Sequence, residues 1–198
     1  SERPDLPWQF GVIDSQNINA FAAPGGFVLV TRGLYSLLEN ESQLAGVLAH
    51  EIGHIVKRHH VTVMQKTAAI SAGSKLLQSQ RGSNELVKSL VGNGAEIFAR
   101  SLDKDAEFES DRLGVVLAAS ARYNPYVLLD VMQRLAARSG SDSTLALLYK
   151  THPHPNERLA KLGEAIEPRI ATLPAGAEPP LRTVAANAPS APAPAPAA

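Results

Sequence analysis

His50-Glu51-Ile52-Gly53-His54 constrains this chain more than any other stretch. It reads H-E-x-x-H inside an apolar, helix-forming run, with Leu44-Ala45-Gly46-Val47-Leu48-Ala49 before it and Ile55-Val56 after it. Positions i and i+4 of a helix share a face, so both imidazoles can reach one ion. Glu51 lies one step round the helix, beside that ion rather than on it. Five residues thus supply two ligands and a general base in the manner of a zinc peptidase. Asn40, with Gln43 three residues later, predicts a capping box at the start of this helix. Two imidazoles and a carboxylate in so apolar a helix are costly to bury without partners.

Two histidines do not complete a catalytic zinc site, which takes three protein ligands and leaves the fourth position to water. His60 stands at the metzincin spacing, but that arrangement breaks the helix at a glycine, and this chain has Lys57 there. If the helix continues, His60 sits ~15 Å further along the axis than His50. Lys57-Arg58-His59-His60 reads better as a basic run at a helix C-terminus, where cations suit the dipole. The stronger source is Glu107-Phe108-Glu109-Ser110-Asp111. Glu107 and Asp111 share a face of a second helix, so Glu107 can complete a His₂Glu site while Asp111 accepts the outer N–H of a ligand histidine. Glu109 lacks an Asp at i+4. A solvated acidic face is the plainer alternative, since Asp103 and Asp105 extend the run. In Thr151-His152-Pro153-His154-Pro155-Asn156-Glu157-Arg158, the prolines hold the backbone extended. Such a loop either presents His152 and Arg158 to an oxyanion or simply caps the last helix.

Four ordered blocks carry a resemblance. Asn19 to Gly26 with Val30-Thr31-Arg32-Gly33-Leu34, Asn40 to His54, Glu107 to Gly114, and Thr151-His152-Pro153 with Arg158-Leu159 resemble a zinc metallopeptidase family. That family, of gluzincin type, includes the CAAX prenyl endopeptidases, the bacterial membrane protease HtpX and related periplasmic peptidases. The resemblance covers residues 15 to 163. It implies zinc held by His50, His54 and Glu107, one ion per chain, with Glu51 as general base and Asp111 orienting a ligand. His152 matches a histidine near the metal that stabilises the oxyanion or serves as a temporary fourth ligand. HtpX-type and prenyl-protease members carry transmembrane helices, whereas no apolar run here approaches the ~20 residues that span a bilayer.

Composition narrows the remaining classes. Formal net charge is zero over 198 residues, which argues against a nucleic-acid partner. Cysteine is absent, which excludes a disulfide scaffold and a thiolate metal site. Residues 1–170 suit one metallopeptidase domain. Residues 171–198 form a Pro/Ala-rich tail; seven of the fourteen prolines fall in 174–198, a composition that cannot bury a core. The chain begins at Ser1, so an upstream signal or anchor segment, and membrane association through it, are expectations. With the resemblance they point to an exported or membrane-attached bacterial protein, periplasmic in the simplest case. Oligomeric state is not legible.

Strands are predicted at 8–13, 19–23 and 27–31, the last two joined by Pro24-Gly25-Gly26. Helices are predicted from about Ser42 to His60, from the low 60s to Gln80, over Glu85 to Leu102, up to Ala121, from Asn124-Pro125, and from Asn156 to before Pro168. The expected class is α+β, predominantly helical and zincin-like: a small antiparallel sheet with an active-site helix and a second ligand-bearing helix. Phe27, Val28, Leu29, Val30 and Thr31 are the candidate edge strand for a peptide substrate, though a buried central strand fits their composition equally. Residues 61–94 are a candidate lid. The function expected is a zinc-dependent metalloendopeptidase acting on protein or peptide; the alternatives are a zinc-binding, non-cleaving chaperone-like protein and a metal-free helical interaction module.

Overall fold

The computed structural model describes residues 3–65, 102–138, 142–152 and 155–170. The first part is a small sheet. Strands β1 (Gln9–Ile13), β2 (Ala20–Ala23) and β3 (Phe27–Thr31) lie in the order β1-β3-β2. Gly25 and Gly26 adopt φ of 95° and 97°, a conformation only glycine takes without strain, and this turns β2 back onto β3. The sheet is mixed rather than antiparallel. β2 pairs antiparallel with β3, from Ala20 opposite Val30 to Ala23 opposite Phe27. β1 runs parallel to β3, from Gln9 opposite Phe27 to Ile13 opposite Thr31.

That order corrects the expectation for the substrate strand. Phe27, Val28, Leu29, Val30 and Thr31 form the central strand, paired on both sides, so their backbone groups cannot accept an added strand. Val28, Val30 and Thr31 are buried, as a central strand requires. The edge beside the HExxH helix belongs to β2.

Thr31 joins sheet to helix. Its hydroxyl caps α1 (Arg32–Tyr35) by accepting from Leu34 N, and it donates to the Asn19 carbonyl at 2.9 Å. Helix α2 (Glu41–Val56) follows. The Asn40 side chain accepts from Gln43 N at 2.8 Å, while the Gln43 side chain accepts from Glu39 N, one residue earlier than a capping box places it. α2 stops sooner than predicted: Arg58 turns to φ 57°, and residues 59–65 form a separate helical stretch. Helix α3 (Lys104–Ser120) is capped by Asp103, whose side chain accepts from Ala106 N at 2.9 Å. α4 (Val127–Arg138) starts two residues after the predicted Pro125; Asn124 Oδ1 accepts from Tyr126 N. A 3-10 turn (Ser143–Leu145), α5 (Ala146–Thr151) and α6 (Pro155–Ile170) complete the described chain. α6 runs past Pro168, which removes one backbone bond in the last turn.

α2 and α3 pack at unusually close range through two glycines. A Cβ on Gly53 would lie 3.1 Å from Ser110 Cα, and one on Gly114 would lie 3.0 Å from His50 N. Each glycine thus faces the backbone that carries the other helix's chemistry. One core cluster joins the sheet to α2, α4 and α5 through Ala20, Val30, Val47, Val131 and Leu148. A second joins α3, α4 and α6 through Val115, Leu128, Met132 and Leu162. The lid expected over 61–94 lies, beyond residue 65, outside the described residues, as does the tail. Among the described residues no helix is long and apolar enough to cross a membrane.

Candidate metal centre

The register of α2 decides where the first two imidazoles go. One turn apart on the buried face, His50 and His54 bring their Nε2 atoms to 3.0 Å. The glycine contacts hold α3 against that face, so Glu107 meets both rings: Oε1 lies 3.4 Å from His54 Nε2 and Oε2 lies 3.7 Å from His50 Nε2. His152 follows α5, with Nδ1 3.2 Å from each Glu107 oxygen. Ligand atoms of His50, His54, Glu107 and His152 all lie within 4.8 Å of one another. All four side chains are buried.

These residues fit a divalent metal. Nitrogen and carboxylate donors bind such an ion at about 2.0–2.2 Å, so tetrahedral donors stand roughly 3.3–3.5 Å apart. The separations among His50, His54 and Glu107 bracket that spacing. Beside them, Glu51 is 2 % exposed, and its Oε2 has no hydrogen-bond partner among the described residues. A buried carboxylate oxygen in that condition has its acceptor capacity left for a water, an ion or a substrate group. Its Oε1 lies 3.6 Å from His152 Nε2.

Each HExxH imidazole has a backing group on its outer nitrogen. His50 Nδ1 lies 2.9 Å from Asp111 Oδ1, the placement the i+4 spacing predicts. His54 Nδ1 lies 2.9 Å from His59 Nδ1, and His59 Nε2 lies 3.1 Å from Glu109 Oε2. Sequence reasoning missed this second pair, reading His59 as part of a basic run at a helix C-terminus. The helix break at Arg58 returns His59 to the site, and no spacing rule flags it. The same break brings the His60 ring to 5.7 Å from that of His54, yet His60 is not in the four-residue cluster.

Arg158 sits deeper than a loop residue facing substrate. Its Nε donates to Asp111 Oδ2 at 2.8 Å, its Nη2 donates to Asp111 Oδ1 at 2.6 Å, and its Nη1 is 3.0 Å from Glu107 Oε2. The guanidinium therefore clamps two carboxylates, in place of the expected oxyanion contact.

The charges are strongly coupled. Burial pushes the Glu107 carboxyl up, but His152 and Arg158 outweigh it and hold it down at about 2. Burial pushes His152 down, and Glu107 with Glu51 reverse this, raising it to about 9. Burial lowers His54 well below the usual imidazole range, aided by His50 and His152. Glu51 is raised by burial. Burial pushes Asp111 up, yet Arg158 and His50 keep it below the usual carboxylate range.

A cavity of about 160 Å³ lies between β2 and this cluster, lined by Ala20 to Ala23, Glu51, His60, Thr151 and His152. A larger one of about 470 Å³ runs along Leu44, Leu48 and Ile52, the opposite side of α2, and touches none of the four clustered residues.

The same stretch of chain is matched by known proteins. It is 33 % identical over 164 residues to the beta-barrel assembly-enhancing protease of Yersinia pestis, covering 78 % of this chain and 33 % of that protein. It is 32 % identical over 162 residues to the mitochondrial metalloendopeptidase OMA1 of Schizosaccharomyces pombe, covering 81 % and 47 %. To the metalloprotease YcaL of Escherichia coli it is 26 % identical over 162 residues, covering 81 % and 63 %. The chain thus spans a third to a half of the first two relatives' length. Residues 1–166 match the peptidase family M48, and the chain belongs to that family of metallopeptidases.

Proposed function

We propose that the chain is a zinc-dependent metalloendopeptidase with His50, His54 and Glu107 as ligands and Glu51 as general base. One observation carries the reading: three donors from α2 and α3 stand at the mutual spacing of a tetrahedral site, beside a buried carboxylate oxygen without a partner among the described residues. Zinc bound there supplies a Lewis acid that activates a water and polarises a carbonyl. Glu51 takes the proton of the attacking water at a carboxylate oxygen and later delivers it to the leaving amine. Burial raises its pKa, which makes it the stronger base for the first of these transfers. Asp111 and His59 hold the ligand rings in orientation, and Arg158 keeps Asp111 and Glu107 in place. A peptide adds as a strand along β2, whose residues line the cavity that also holds Glu51 and His152.

His152 lies inside the ligand group rather than beside it, which supports its reading as a latch on the fourth position. His152→Ala then raises peptide hydrolysis; a fall instead assigns His152 to catalysis. Residues 1–170 act as the peptidase domain. The names of the bacterial relatives make proteins met during β-barrel assembly a substrate class to test, in an exported setting. The decisive experiment is Glu51→Gln. Bound zinc stays at one per chain by metal analysis, while hydrolysis of an unfolded protein falls by orders of magnitude; undiminished cleavage removes Glu51 from the mechanism.

A further inference from the structure

The two core clusters do not fuse completely. A cavity of about 60 Å³ lies between them, bounded by Val47 of α2, Leu128, Val131 and Met132 of α4, and Leu148 of α5. Its lining also includes His50, Glu51 and His152. An apolar recess thus shares a wall with the reacting groups. The Tyr149 hydroxyl donates to the Leu135 carbonyl at 2.9 Å, tying α5 to α4, so the recess has a fixed width. Arg158 reaches the lining with its guanidinium bonded to Asp111 and Glu107, and so does not turn it toward acidic side chains.

Size narrows the occupant. A water needs roughly 10–15 Å³ on this measure and benzene occupies a cavity of about 150 Å³. A volume near 60 Å³ takes a few carbons and no aromatic ring. We propose that this recess between α2, α4 and α5 is a specificity pocket that selects peptides with a small aliphatic side chain, of alanine to leucine size, next to the cleaved bond. The inference rests on the peptidase reading above and names the substrate class of that site. Met132 and Leu128 are its specificity-determining residues, because they come from the second cluster and set the depth.

The test uses the zinc-loaded 198-residue chain and peptides that vary one residue on either side of a single cleavable bond through Gly, Ala, Val, Leu, Phe, Asp and Lys. Affinity is read by fluorescence anisotropy on Glu51→Gln, which needs no turnover, and kcat/KM on the wild type. Val or Leu should exceed Gly, Phe, Asp and Lys by about tenfold or more at one position, the range for one or two methylenes in an apolar pocket. Met132→Ala should improve Phe relative to Val by about tenfold; if that variant does not fold, Leu128→Val should move the ratio the same way by a smaller step. A flat profile, a charged or aromatic preference, or a ratio unmoved in a folded variant overturns the pocket. Aliphatic-selective binding without any cleavage overturns the peptidase reading and leaves the pocket standing. Binding of no peptide overturns both.

Discussion

At the residue scale, the candidate site is two shells of very different character. The inner group brings ligand atoms of His50, His54, Glu107 and His152 within 4.8 Å of one another. The outer group sets Asp111 Oδ1 2.9 Å from His50 Nδ1 and His59 Nδ1 2.9 Å from His54 Nδ1, which under the proposed function orients the two rings. Groups of this second kind typically contribute 10–100-fold in metal affinity. Asp111→Ala and His59→Ala should each weaken zinc binding by about that factor in a competition titration with a chelating dye. Arg158 has a different task, since its removal leaves two buried carboxylates without their cation. Arg158→Ala should destabilise the fold by about 3–5 kcal/mol in denaturant unfolding, more than Asp111→Ala, after which Arg158 keeps its ion pair with Glu107.

At the element scale, the closeness of α2 and α3 is what makes Glu107 a ligand. A methyl group on Gly53 or Gly114 would press on Ser110 Cα at 3.1 Å or on His50 N at 3.0 Å. Gly53→Ala and Gly114→Ala should each cost about 1–3 kcal/mol through overpacking and should lower zinc affinity in the same titration, because a displaced α3 carries Glu107 away. Arg58→Gly has the opposite sign. Position 58 already holds φ 57°, so glycine relieves about 1 kcal/mol of strain, visible as a raised unfolding midpoint with zinc affinity unchanged.

The same elements mark what could be read from sequence. His50, Glu51 and His54 were legible because helical periodicity alone puts them together, and the Glu107/Asp111 spacing was legible for the same reason. Gly53 and Gly114 stood inside the motifs, but nothing in one chain says which backbone a glycine will face. The strand order was illegible because apolar composition marks burial and not pairing partners; Phe27 to Thr31 read equally well as edge or centre. His59 was lost to a break at Arg58, where a left-handed arginine has no composition signal.

At the scale of the whole molecule, the cluster brings together side chains from α2, α3 and the C-terminal cap of α5. A ligand that binds only the folded state stabilises it by mass action, by about 2.7 kcal/mol at a hundredfold excess over Kd. For a domain of this size that corresponds to roughly 5–10 °C. Stripping the metal with a chelator should lower Tm by about that much, and zinc should restore it. Asp111→Ala should show a smaller shift at equal zinc.

The most direct test is anomalous X-ray diffraction at the zinc edge on crystals of the zinc-loaded chain. The account predicts one strong peak within bonding distance of His50 Nε2, His54 Nε2 and a Glu107 carboxylate oxygen. A peak seated elsewhere, or one that Glu107 does not reach, contradicts it.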